Sequence, residues 1–209
     1  MHDIVDQGSC GSCWAFSSAA FLEDRLCIES DGSIDVRLSP RDMVACDYSN
    51  YGCDGGYLMN GIKYLETRGL PTETCVPYDD ITFTPTCSYG CTVDGETYDL
   101  YKCKTGSFKL MTNFDEMVEE IEAHGPIMVA CSIYEDFYYY STGIYEKTTE
   151  TFEGLHAMKA IGWGTDDTYG EYLIIQNQWG DSFGDDGFIN IKKGEIGIDL
   201  FGVSCEPDI

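Results

Sequence analysis

From Cys13 to about Ser30, the residues Trp14, Ala15, Ala19, Leu22 and Leu26 recur near helical spacing, with small Ser and Ala residues between them that permit close packing. The pattern predicts one long buried helix with Cys13 at its start. Ser39-Pro40 followed by Asp42 reads as a second helix start, Ser39 capping and Pro40 at the first helical position, with the helix reaching about Cys46. A third helix is expected from about Tyr57 to Arg68, stopped by Gly69. Between residues 70 and 103, Pro71, Pro77, Pro85 and four cysteines interrupt every period, which predicts loop held by bridges. Asn113 caps a fourth helix, with Asp115 and Glu116 in its first turn and an end at Gly125-Pro126. Beyond it the pattern changes. Residues 127–133, 157–163, 172–176 and 188–191 are short apolar or β-branched runs separated by Gly and Asp, as in an antiparallel sheet or barrel. The expected class is α+β, with a helical half at 1–103 and a β-rich half at 104–209, and no internal repeat.

Composition narrows the function. With 43% hydrophobic and 13% aromatic residues, 209 residues can build one large or two small cores. Twelve basic against 37 acidic residues give a charge of -25, which repels phosphate backbones and anionic membranes, so nucleic acid is not an expected partner. An acidic lumen would neutralise part of that charge. Eleven cysteines point to an oxidising compartment, and the odd count leaves at least one outside any bridge. No run approaches the roughly 18 to 20 apolar residues that span a bilayer, and Met-His-Asp-Ile-Val-Asp has neither a basic nor an apolar leader region. For an exported protein, the targeting segment is therefore expected to be missing from this chain. No Asn-x-Ser/Thr acceptor occurs.

The strongest local signal is Cys10-Gly11-Ser12-Cys13-Trp14. A cysteine at a helix N-terminus feels the positive dipole end, which lowers its pKa toward the reactive thiolate; the alternative, a structural cysteine, fits Cys10 better than Cys13. A thiolate nucleophile needs an imidazolium to protonate the leaving amine, and the candidates are His2, His124 and His156. His2 is terminal and His124 ends a polar helix. His156 lies 143 residues after Cys13 and opens the apolar run from Ala157 to Gly164. Asn177, in Gln176-Asn177-Gln178-Trp179-Gly180, could accept a hydrogen bond from His156 and fix its ring, with Trp179 shielding that bond from water. Gln7, six residues before Cys13, could donate its amide to a developing oxyanion beside the Cys13 backbone N–H; a surface glutamine is the alternative.

Three separated segments thus agree in order and spacing, and over nearly its whole length the chain resembles the papain family of cysteine peptidases, cathepsin B-like branch. The resemblance implies two domains, helical left and antiparallel β-barrel-like right, with the active-site cleft between them. It assigns Gln7, Cys13, His156 and Asn177 to catalysis, and Gly55, Gly56, Tyr57, Ala157, Trp179 and Phe201 to substrate binding. By analogy Cys10 pairs with Cys53, Cys46 with Cys87, and Cys75 with Cys91. Cys27 resembles a half-cystine whose partner precedes the start of this chain; Cys103 could pair with Cys205, and Cys131 reads as a buried thiol. The resemblance further implies no cofactor and no metal, a monomer, protein and peptide substrates, an inhibitory pro-segment, cystatin-like inhibitors, and a lysosomal, vacuolar or secreted location.

The chain also departs from cathepsin B. Only 11 residues separate Cys75 from Cys87, and none is histidine, so the carboxylate-holding occluding loop of that branch is missing. Open primed subsites and endopeptidase action are expected. Phe201 replaces an acidic residue at the floor of the S2 pocket, which favours an apolar P2 side chain over arginine. Gln178 and Leu155 are smaller changes. The pro-segment and about a dozen mature residues are expected upstream. Two other classes compete: a catalytically silent papain-like binding or structural protein, and a zinc module, the latter weakened because no second Cys pair or spaced His pair completes a ligand set.

Overall fold

Local hydrogen bonds at the helix starts set the architecture of the computed structural model, which describes residues 3–79 and 81–209. His2 lies outside the described residues. The elements are α1 (Cys13–Glu29), α2 (Pro40–Cys46), α3 (Leu58–Thr67), β1 (Lys102–Cys103), β2 (Lys109–Met111), α4 (Phe114–His124), β3 (Ile127–Tyr134), β4 (Ile144–Tyr145), β5 (Phe152–Asp166), β6 (Gly170–Gln176), β7 (Phe188–Lys192), β8 (Gly202–Ser204) and β9 (Pro207–Asp208). They fall into two compact units. One comprises Gln7–Lys109 with Ser204–Ile209, the other Asp3–Asp6 with Leu110–Val203.

In the first unit α1 is buried on nearly every side, down to its charged residues Glu23, Asp24 and Arg25. A helix apolar all round belongs inside a core, and its few charges must find partners there. Glu23 Oε1 accepts from Leu38 N at 2.7 Å, and Arg25 Nη1 donates to the Cys205 carbonyl at 3.1 Å. Ser39 caps α2, accepting from Asp42 N at 3.0 Å, with Pro40 in the first turn. Asp42, whose side chain is wholly buried, then gathers donors from three places. Tyr64 of α3 and Tyr98 each donate at 2.9 Å, and Arg68 pairs with it at 2.9 Å. Tyr98 and Arg68 also touch each other, and Arg68 lies over the Tyr64, Tyr89 and Tyr98 rings. Bridges Cys10–Cys53, Cys46–Cys87 and Cys75–Cys91 pin the irregular stretch after α3 and the loop before it, while Cys103–Cys205 and the β1–β9 pairing return the C-terminus to this unit.

In the second unit Asn113 caps α4, accepting from Glu116 N at 3.0 Å. A seven-stranded sheet follows in the order β2-β8-β3-β5-β6-β7-β4. Its core packs Met117, Ile121, Val129, Phe137, Met158, Leu173, Ile175 and Ile189. The α+β expectation holds; the barrel-like sheet is not a closed barrel, and β4 pairs with β7 in parallel. Closure needs edge strands long enough to share a ladder, and here the edges β2 and β4 have three and two residues. β5 is also longer than its apolar run suggests, because Phe152 to Leu155 pair with the end of β3 despite facing solvent in part.

The Asp42 cluster predicts a large stability effect. Asp42→Ala strands Arg68 and two phenols in a buried site, and should cost about 3–5 kcal/mol in urea unfolding, whereas truncating exposed Glu119 should change little.

Candidate active site

Each unit presents its own part of the chemistry. In the first, the chain approaching α1 is strapped down before it reaches Cys13. Cys10 is bonded to Cys53, Gly11 N donates to the Cys53 carbonyl at 2.9 Å, and a Cβ on Gly11 would meet that carbonyl oxygen at 2.5 Å. Only glycine permits so close an approach. Cys13 is the first residue of α1, half-buried and outside any disulfide, with the 17-residue helix behind it. The amides of the first turn and the helix dipole favour a thiolate there. Gln7 is buried, and its Nε2 donates to the Cys10 carbonyl at 2.9 Å, which fixes the amide. Gly55 has φ +104°, and a Cβ on Gly56 would strike Trp14 at 2.6 Å. Trp14 in turn donates from Nε1 to the Gly52 carbonyl at 3.1 Å. Tyr57 is exposed, its ring edge-on to Tyr51 at 6.3 Å.

In the second unit the ladder register places His156 opposite Cys131 on β3, and Asn177 directly after the end of β6. Their side chains meet: His156 Nε2 lies 2.8 Å from Asn177 Oδ1, both buried. Because an amide oxygen only accepts, Nε2 carries the proton, and the neutral ring keeps its lone pair on Nδ1. Trp179 covers the ring, with centroids 4.7 Å apart, and Phe137 stands edge-on to both at 6.3 Å and 5.6 Å. Tyr138 stacks on Trp179 at 5.3 Å and 7°. Gln178 Nε2 donates to the Ala157 carbonyl at 2.8 Å and lies 3.4 Å from His156 Nε2. The enclosure has an electrostatic consequence. Burial pushes the imidazole pKa from 6.5 down to about 4, while the hydrogen bond to Asn177 pulls the other way. Leu155, just before His156, is 76% exposed. Ala157 is buried, and half-buried Phe201 uses its carbonyl to accept from Ala130 N at 3.2 Å. His124 lies exposed in the last turn of α4.

Several supporting residues escape sequence reasoning. Phe137 and Tyr138 sit in a tyrosine-rich stretch with no period, and only the short 3₁₀ turn Glu135–Tyr139 aims them at Trp179. Gln178 was visible beside Asn177, but its bond to Ala157 depends on the β5–β6 pairing.

A model of the papain family cysteine protease matches residues 1–205. The chain belongs to that family. Within it, the chain is 38% identical over 194 residues to "Cathepsin B-like CP2" of Giardia intestinalis, covering 92% of this chain and 64% of that protein. It is 36% identical over 223 residues to "Cathepsin B-like protease 1" of Arabidopsis thaliana, covering 96% of this chain and 56% of that protein. The chain thus spans less than two thirds of these curated relatives. Among solved structures, proCathepsin B S9 from Trypanosoma congolense matches with a TM-score of 0.92 at 27% identity, over all of this chain and 73% of that one. The papain-like fold and the cathepsin B-like affinity follow from these likenesses. Among the described residues no helix is long and apolar enough to cross a membrane, and the four disulfides fit an oxidising route.

The enclosure gives His156 a testable acid response. A base with a lowered folded pKa contributes stability that is complete above its unfolded value, near 6.5, and is lost as pH falls toward about 4. In Cys13→Ser protein, where no thiolate charge enters, NMR should show the His156 ring titrating well below the ordinary range. Adding Asn177→Ala should move that midpoint lower still.

Proposed function

We propose that this chain hydrolyses internal peptide bonds through a thioester acyl-enzyme, with Cys13 as nucleophile and His156 as its acid and base. The observation that carries this reading is the buried His156–Asn177 pair, which commits one ring nitrogen to a fixed acceptor and keeps the other for proton transfer. The half at 1–103 supplies the sulfur and the half at 104–209 the imidazole. Thiolate attack forms the S–C bond and places negative charge on the carbonyl oxygen, where the Cys13 N–H and the Gln7 amide stabilise it. The imidazolium then gives its proton to the departing amine as the C–N bond breaks. Water next attacks the thioester, surrendering its proton to the ring, and the acid product leaves with Cys13 restored.

The missing histidines between Cys75 and Cys87 support endopeptidase action, because nothing there offers a cation to a substrate's terminal carboxylate. Phe201 supports an apolar P2 preference, since a buried guanidinium would find no counter-charge from a phenyl ring. Gly55 and Gly56 are suited to bind an extended substrate backbone, and Tyr57, Ala157 and Trp179 belong to the same proposed substrate-binding set. Protein and peptide substrates, an inhibitory pro-segment, cystatin-like inhibitors, a monomeric state and a lysosomal, vacuolar or secreted setting belong to the same reading.

Cys13→Ala should abolish labelling by a thiol-directed epoxide and lower turnover of fluorogenic peptides by more than about a thousand-fold. Unlabelled and inactive wild-type protein, folded and reduced, would remove the peptidase assignment. In a P2-varied library of internally quenched peptides, Leu and Phe should outrank Arg, and Phe201→Glu should raise the kcat/KM for Arg.

A further inference from the structure

Glu73 is a carboxylate that the proposed mechanism does not use. Its Oε1 accepts from Tyr78 N at 2.6 Å, whereas its Oε2 is buried with no hydrogen-bond partner among the described residues. Its own N–H donates to the Arg37 carbonyl at 2.8 Å. Tyr78 then carries the contact onward to the nucleophile's approach. Its hydroxyl donates to the Gln7 carbonyl at 2.8 Å and lies 3.0 Å from Ser12 Oγ, while its ring stands edge-on to Phe16 at 4.5 Å. One residue therefore touches Gln7, the residue just before Cys13, and the first turn of α1.

We propose that Glu73 is a positioning residue whose neutral carboxyl holds Tyr78, and through it Gln7 and Ser12, in the arrangement that the peptidase reaction needs. The proposal rests on the peptidase reading above. A neutral carboxyl suits this pocket because the second oxygen accepts no hydrogen bond that would stabilise an anion. The charged groups that face it divide: Arg37 favours ionisation, while Glu23 from α1 and Asp79 from the same loop oppose it. Burial outweighs the rest and pushes the Glu73 pKa from 4.5 up to about 7. For an acid with a raised folded pKa, the stabilising contribution is complete below about 4.5 and disappears as pH rises through about 7. Above that point the buried anion must draw water or move, and Tyr78 moves with it.

The test compares wild type, Glu73→Gln and Tyr78→Phe. Glutamine keeps an acceptor for Tyr78 N but does not titrate. The ratio of kcat at about pH 5.5 to kcat at about pH 8 should be several-fold smaller in Glu73→Gln than in wild type, with KM hardly altered. In a Tyr78→Phe background that difference should vanish. An unchanged ratio, or one that persists without the Tyr78 hydroxyl, overturns the proposal. Carbon-13 resonances of the Tyr78 ring give a readout independent of turnover: they should titrate near pH 7 in wild type and not in Glu73→Gln. Titration in neither protein, or the same titration in both, sinks the Glu73 role even if the enzyme is active. Inactive wild type with the predicted titration sinks only the peptidase reading.

Discussion

A neutral imidazole sealed away from water with one proton fixed is the constraint around which the β-rich unit is organised. Burial of His156 works against its charged form, so the ring is useful only if its orientation is already correct when charge arrives. The structure meets that demand in layers. Asn177 accepts the Nε2 proton and thereby chooses the tautomer, Trp179 excludes water from that bond, and Phe137 and Tyr138 hold Trp179. Gln178 locks the next turn to the Ala157 carbonyl. None of these contacts exists without the sheet. His156 lies within β5, Asn177 follows β6, and the Lys159–Gln176 register of those strands brings the two side chains together. A one-residue slip would send His156 to the opposite face.

The helical unit solves a different problem, that of bringing backbone close to the start of α1 without letting it wander. The Cys10–Cys53 bridge and the Gly11 N–H to Cys53 carbonyl bond clamp the entry to α1 from one side, and the Tyr78 hydroxyl clamps it from the other. Trp14 fills the space beneath Gly56 that any side chain there would occupy. The acidic composition makes such fixed geometry more valuable. At a formal charge of -25 the chain repels itself at neutral pH, and covalent ties restrict the expanded states that repulsion favours.

What could be read from the chain alone was what is decided locally. The Ser39 and Asn113 caps and the stops at Gly69 and Gly125 are set by a few consecutive residues, and the helices fall within a residue or two of their expected bounds. The Cys13 signature and the Gln176-to-Gly180 stretch were legible for the same reason. The open sheet was not, because whether edge strands meet depends on their length and partners, and β1, β2, β4, β8 and β9 are too short to leave a pattern. Nor was the Asp42 cluster, whose Tyr98 lies 56 residues away. Glu73 was equally silent: a glutamate in a loop reads as solvated until the fold shows which oxygen is buried without a hydrogen bond.

The two perturbed groups pull against each other along the pH axis. Forming the His156 enclosure is disfavoured once the unfolded imidazole binds a proton, so that contribution weakens below the ordinary 6.5 and is gone near 4. Enclosing Glu73 has the reverse dependence, fading from about 4.5 upward and gone near 7. Neither group alone gives an optimum; together they leave an interval on the acidic side of neutrality where both keep part of their contribution. The 37 carboxylates shift the balance in the same direction, since each proton they take up lowers the self-repulsion of the chain.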